Sequence, residues 1–212
     1  MSSSPISSSP SSPSRSEMNS VFRLCRKDNW KGVLKAVEAD PTIATNPMIM
    51  DNHIGTTILH QAITSKANTI QRAAVIRQVL ETNPMAATIK NGYGSLPLHV
   101  ISQRNTKMDS KTKEGLIYKL MDAYPGALRE EGGVGRRTPL HIAFTDYISP
   151  RLARSMIERG KDATSMVDKK RWLPIHVACS RHCSPEKLGM LLEANPNSLY
   201  AKTGDGRSLL QL

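Results

Sequence analysis

A four-residue pattern recurs at long, nearly regular intervals along this chain and limits its fold more than any other feature. It reads Thr57-Ile58-Leu59-His60, Leu96-Pro97-Leu98-His99, Thr138-Pro139-Leu140-His141 and Leu173-Pro174-Ile175-His176. Successive histidines stand 39, 42 and 35 residues apart. A degenerate fifth copy, Ser208-Leu209-Leu210-Gln211, places Gln211 a further 35 residues on. Self-similarity at a period of a few tens of residues marks a stack of small units, each burying its apolar face against its neighbours. Proteins built this way bind other proteins and perform no chemistry.

Composition agrees with thin layers. Hydrophobic residues make up 39% of the 212 and aromatic residues only 4%, lean for one large core but enough for Leu, Ile, Val and Ala packed unit on unit. The net charge of +11 favours acidic partners and keeps nucleic acid or anionic surfaces open. Cys25, Cys179 and Cys183 form no framework of spacings, so free thiols in a reducing, intracellular compartment, cytoplasmic or nuclear, are expected. No run of about 20 apolar residues spans a membrane, and the N-terminus lacks the apolar core of a secretory signal.

The first residues, MSSSPISSSPSSPSRS, have almost nothing to bury, and a disordered tail is expected over residues 1–18. Ser4-Pro5, Ser9-Pro10 and Ser12-Pro13 have the form of proline-directed phosphorylation sites, although such pairs are common in any flexible leader. The Ser-rich, acid-poor composition has a weak likeness to an organellar transit peptide; a single arginine, Arg15, and no amphipathic helix argue against that reading.

Residues 19–212 repeat one grammar, in about five units. A turn rich in Gly, Asn, Asp or basic residues leads into the tetrapeptide, which starts a short helix. A second helix carries apolar pairs at helical spacing: Val75-Ile76 with Val79-Leu80, Leu116-Ile117 with Leu120-Met121, Leu152 with Met156-Ile157, and Leu188 with Leu191-Leu192. Asp40-Pro41, Asn83-Pro84, Tyr124-Pro125 and Asn195-Pro196 end these helices, because proline cannot continue a helix and pushes the preceding residue out of helical geometry. In the fourth unit Gly160 is expected to cap the helix instead. The first unit, Asn19 to Lys27 and Trp30 to Ala39, is a helix pair without the tetrapeptide; the last is cut at Leu212, as in a fragment or an uncapped array.

Within the tetrapeptide, Thr is placed as an N-cap, Pro fits the first helical turn, Leu faces the core, and the histidine ties turn to helix through both ring nitrogens. Leu96 and Leu173 replace the Thr in two units, which predicts a lost cap of about 1 kcal/mol each.

Thr-Pro-Leu-His followed by Ile142-Ala143, and Leu-Pro-Ile-His followed by Val177-Ala178, resemble the ankyrin repeat over roughly residues 20–212. The units run longer than the usual ~33 residues. The glycine two positions before the tetrapeptide stands as Gly55, Gly94 and Gly206 but is Arg136 and Arg171 in two units, and the glycine after the inner helix is missing. The resemblance implies an all-α, ankyrin-like α-solenoid of stacked helix pairs behind the tail, acting as a protein-interaction scaffold or adaptor through its hairpin tips and concave face.

The residue before each tetrapeptide lies at a hairpin tip: Thr56, Ser95, Arg137, Trp172 and Arg207. Arg137, Trp172 and Arg207 fall in consecutive units and are of types enriched in binding hot spots. Arg136, Lys169, Lys170 and Arg171 surround them, and the inner-helix ends add Arg104, Tyr147 and Arg181. Such a row suits an acidic peptide or acidic protein surface, with Trp172 supplying burial.

Chemistry is not expected. His176, Cys179, His182 and Cys183 invite a zinc site, but one helix cannot turn four ligands onto one ion, and His176 already serves the tetrapeptide. His60, His99 and His141 have no recurring nucleophile beside them. Gly132-Gly133-Val134-Gly135-Arg136-Arg137 lacks the Lys-Ser/Thr ending of a phosphate loop and reads as a long turn. No catalytic residue, metal or cofactor is therefore assigned. Two rival functions stay open at this point: a basic nucleic-acid-binding solenoid, which the charge favours and the scarcity of aromatics opposes, and the recognition portion of a longer enzyme.

Overall fold

The computed structural model describes residues 14–212, apart from 47, 51–52, 104–105 and 145–147. The described chain is mostly helical, as the apolar periodicity demands. Its helices are α1 (Arg15–Arg26), α2 (Trp30–Ala39), α3 (Ile58–Thr64), α4 (Thr69–Thr82), α5 (Pro97–Ile101), α6 (Ser110–Ala123), α7 (Pro139–Ala143), α8 (Pro150–Arg159), α9 (Pro174–Ser180) and α10 (Pro185–Ala194). A short antiparallel hairpin, β1 (Met48–Met50) with β2 (His53–Thr56), was not expected from the sequence. Of the expected tail, residues 1–13 lie outside the described residues. Residues 15–18 open α1 instead, because Ser14 caps it in a reciprocal box with Glu17: the Glu17 N–H donates to Ser14 Oγ, and the Ser14 N–H donates to Glu17 Oε2.

The four tetrapeptides start α3, α5, α7 and α9, and these short helices pack in series, α3 on α5, α5 on α7 and α7 on α9. The longer helices pack beside them, α2 on α4, α4 on α6 and α8 on α10. The apolar pairs read from the sequence provide the contact: Val75, Ile76, Val79 and Leu80 on α4, Leu116, Ile117, Leu120 and Met121 on α6, and Leu152, Met156 and Ile157 on α8 are buried. Each such side chain contributes roughly 1.5–3 kcal/mol of burial. The Leu188 and Leu192 pair on α10 is only partly covered, and Met190 takes the buried place beside Leu191.

The proline stops do two jobs. Asp40, Asn83, Tyr124 and Asn195 all leave helical geometry at φ between −142° and −144°, and the proline after each opens a 3-10 turn, Pro41–Thr45, Pro84–Thr88, Pro125–Arg129 and Pro196–Tyr200. Gly160 is the C-cap of α8, as expected, its N–H donating to the Met156 carbonyl at 3.0 Å with φ at −126°. The glycine is required because a Cβ there would stand 2.8 Å from Leu128 Cβ in the preceding unit.

The tetrapeptide histidine, and not the threonine, closes the helix start. Its Nδ1 accepts the backbone N–H three residues back, from Thr57 (3.4 Å), Leu96 (3.1 Å), Thr138 (3.2 Å) and Leu173 (3.0 Å). The Thr57 and Thr138 hydroxyls lie 2.8 Å from the same nitrogens and make no side-chain cap. The lost cap expected at Leu96 and Leu173 therefore does not arise. Gln211 keeps the arrangement in the degenerate copy, its Oε1 accepting from the Ser208 N–H at 2.8 Å.

With Nδ1 accepting, Nε2 carries the proton and donates to the next unit. His60 reaches the Ser95 carbonyl at 2.9 Å, His99 that of Glu130 at 2.9 Å, His141 that of Trp172 at 2.9 Å and His176 that of Ala201 at 3.2 Å. The histidines thus tie each unit to its successor as well as turn to helix.

A second tie was not visible in the sequence. Arg72, on the first turn of α4, is fully buried. It donates to the carbonyls of Ala62 and Ala67, each at 3.0 Å, and to that of Lys107 in the next unit. Lys113 repeats this on α6 with the Gln103 carbonyl at 2.7 Å, and Lys187 on α10 with that of Ile148 at 3.2 Å. Arg72 and Lys113 sit where the short helix of their own unit ends, near its unpaired carbonyls and the negative end of its dipole, whereas Lys187 reaches back to the loop between α7 and α8.

Candidate partner-binding groove

Two open cavities merge end to end where the ends of the short helices meet the turns that precede them. The first, about 700 Å³, runs from Asp28 and Gln61 past Thr56, Asn91 and Tyr93 to Gln103 and Val134. The second, about 850 Å³, continues from Ser95, Gln103 and Val134 to Arg137, Ile142, Lys169, Lys170 and Arg181. Together they form one groove that starts at the first helix pair and crosses the four units that follow. Two apolar side chains stand out of its rim, Tyr93 at 58% exposure and Val134 at 77%.

The turns are built by short-range bonds. Asn91 Oδ1 accepts from the N–H groups of Tyr93 and Ser95, each at 3.0 Å. The buried Asp168 does the same with Lys170 at 2.8 Å and Trp172 at 3.0 Å, and its other oxygen takes Arg137 Nε at 3.1 Å. The residue two before each tetrapeptide is left-handed throughout: Gly55, Gly94 and Gly206 at φ 71°, 75° and 81°, but also Arg136 at 49° and Arg171 at 58°. The geometry of the missing glycines is thus retained, at about 1–2 kcal/mol of backbone strain per arginine. We expect Arg171→Gly to raise stability by about 0.5–1 kcal/mol, read as a higher thermal midpoint, since no ion pair among the described residues holds that side chain. A lower midpoint would mean that the arginine contributes more than its strain costs.

The residues picked out from sequence do not all converge. Arg137, Lys169, Lys170 and Arg181 line the second cavity. Arg136 lines neither cavity and is held in a two-pronged pair with Glu131 at 2.6 and 3.2 Å. Trp172 lines neither cavity; it is half-buried, and the Arg207 guanidinium stacks over its ring at 5.4 Å, so the row Arg137, Trp172, Arg207 is engaged within the chain. Arg104 and Tyr147 lie outside the described residues. Tyr93 and Val134, the apolar rim, were missed because neither falls at the position before a tetrapeptide.

The titratable groups near the groove are spent on structure. Burial pushes the imidazoles of His60 and His99 down to about 4, and lowers those of His141 and His176 as well, against the smaller opposite effect of the carbonyls they bond. Each ring has both nitrogens occupied. Burial raises the Cys25 thiol to about 12, far from a thiolate nucleophile at neutral pH, and raises that of Cys179. Among the described residues no group of three or more His, Cys, Asp or Glu side chains is placed to hold a metal, the His176–Cys183 stretch included. Nor is any helix of the described residues long and apolar enough to cross a membrane.

No family model matches this sequence. No curated protein matches it either. Among solved structures, the chain is similar to one in the complex of the predatory endopeptidase Bd0816 from Bdellovibrio bacteriovorus with immunity protein Bd3460. The TM-score is 0.64 at 15% sequence identity, over 90% of this chain and 88% of that one. The likeness is one of fold. It corrects the expectation of a scaffold or adaptor, because the structure that shares the fold is a complex of an endopeptidase with an immunity protein.

Proposed function

We propose that this chain is a non-catalytic protein of immunity type: an ankyrin-like stack that seats one enzyme partner along the groove and restrains it. One observation carries the reading. The groove crosses five units and offers apolar Tyr93 and Val134 on turns fixed by internal bonds, a preorganised surface with exposed anchors. The fold likeness to a chain from an endopeptidase–immunity complex supports the same direction. Two features support the restraining side of such a pair: histidines with both ring nitrogens bonded, and thiols raised by burial. Neither group is available for proton transfer or attack. The preferred partner is acidic at the groove end lined by Lys169, Lys170 and Arg181.

The test places a photo-crosslinking residue at Val134, with Ile70, exposed on α4, as the control position. Expressed in the native host, the Val134 form should capture one protein, and the purified chain should lower that protein's catalytic activity at equimolar ratio. Tyr93→Ala should weaken the inhibition at least about tenfold. A captured partner that keeps its full activity, equal capture from Ile70, or no capture at all would each refute the proposal.

A further inference from the structure

We infer that the second half of the groove is an acceptor for a carboxylate-rich polypeptide segment, which crosses the Gly132–Gly135 turn with its acidic side chains on Lys169, Lys170 and Arg181 and an apolar one against Val134. The inference rests on the function proposed above and names the chemistry of what its groove accepts.

The argument begins with charge that the chain does not neutralise. Many surface cations have partners: Lys90 with Glu130, Lys119 with Glu81, Arg129 with Asp162, Arg159 with Asp122, Arg207 with Asp205. Among the described residues the side chains of Lys169, Lys170 and Arg181 have none, although all three line one cavity. The carboxylate nearest in the turn, Asp168, cannot serve them. It is buried at 4% exposure and saturated by Arg137 and by the backbone of Lys170 and Trp172. That saturation also fixes the turn, so Lys169 and Lys170 are presented from a rigid base.

Backbone strain points to the same end. Arg136 and Arg171 hold left-handed geometry on the two turns flanking this cavity, where the other units use glycine. Strain that persists at consecutive turns marks a site where the side chain is used. Within the first of these turns the Gly132–Gly135 stretch keeps the floor low: Gly132 passes so close to His99 that a Cβ would lie 2.7 Å from its ring. Val134 rises from that stretch at 77% exposure, with Ile142 in the cavity wall beneath. An apolar post ringed by unpaired cations fits a segment mixing carboxylates with an apolar residue, and steers it electrostatically.

The experiment uses the full chain and a fluorescein-labelled peptide of six glutamates around a central leucine, with glutamine and lysine counterparts of equal length. Fluorescence anisotropy should show the glutamate peptide binding at least tenfold tighter than the glutamine one, and weakening as salt is raised from 50 to 200 mM, as expected for partly exposed charges. Lys169→Glu with Lys170→Glu, and separately Arg181→Gln, should each weaken it about tenfold or more while the thermal midpoint stays put. Lys35→Glu with Arg77→Glu, exposed on α2 and α4, should change it less than twofold. Equal binding of the glutamine peptide, equal loss from the α2/α4 pair, or tighter competition by an oligonucleotide of matched charge overturns the inference. If the peptide fails while the Val134 crosslink still captures an inhibited enzyme, the acidic chemistry falls and the immunity function stands.

Discussion

Lowering the pH from 7 to 4 is expected to unfold this chain, with a midpoint between pH 4 and 6. The cause is the series of histidines that join unit to unit. His60 and His99 are neutral in the fold and resist protonation down to about pH 4, first because burial removes them from water. In the unfolded chain they take up protons near pH 6.5. Stability is therefore intact above about pH 6.5 and is lost as the pH falls toward 4, because the unfolded state binds protons that the folded state cannot. A depression from 6.5 to about 4 corresponds to about 3 kcal/mol for each of these two residues at pH 4. Together that is on the order of 6 kcal/mol, within the whole stability of an ordinary domain, and the lowered His141 and His176 add to it. Circular dichroism with Trp30 fluorescence would follow the transition, since Trp30 is fully buried. Gln211 suggests the control. His60→Gln keeps the acceptor for the Thr57 N–H, as Gln211 does for Ser208, and removes the titration. That variant should be weaker at pH 7 but show a shallower loss toward pH 4. A chain that stays folded and equally stable at pH 4 would show that the histidine bonds do not hold the fold.

Arg72→Ala is expected to cost about 3–5 kcal/mol, the largest effect of any single substitution away from the histidines. The guanidinium is fully buried and its shortest bonds go to the backbone carbonyls of Ala62, Ala67 and Lys107, with longer ones to the Ile63 carbonyl and the Thr69 hydroxyl. Removing it leaves those carbonyls without their donor, the Ala62 one in a buried setting and those of Ala67 and Lys107 in part-buried ones, at about 1–3 kcal/mol for each that cannot find another partner. It also uncouples the end of α3 from the following unit. Arg72→Lys should recover only part of the loss, because one ammonium cannot span a fan that the planar guanidinium bridges; Lys113, the equivalent in the next unit, reaches a single carbonyl. Chemical denaturation at pH 7 gives the number directly. A loss under about 1 kcal/mol would mean that water reaches these carbonyls and replaces the side chain.

The periodic signals, local in kind, were legible in the sequence. Apolar pairs three and four apart determined the faces of α4, α6 and α8, and proline determined where α2, α4, α6 and α10 end, because both act within one turn of backbone. The left-handed position two before each tetrapeptide could be read from Gly55, Gly94 and Gly206, and Arg136 and Arg171 follow the same backbone despite their side chains. The shared register of Arg137, Trp172 and Arg207 was equally plain, but their fates were not. Asp168 captures Arg137 and the Trp172 ring captures Arg207, contacts that depend on how one turn lies against its neighbour. The same holds for the carbonyls that receive His60, His99, His141 and His176, for the burial of Arg72, and for Gly160 pressed against Leu128. The groove belongs to this second class. Tyr93, Val134, Lys169 and Arg181 come from four separate stretches, and only the packing of units, in which residues some 35 to 40 apart become neighbours, places them along one surface.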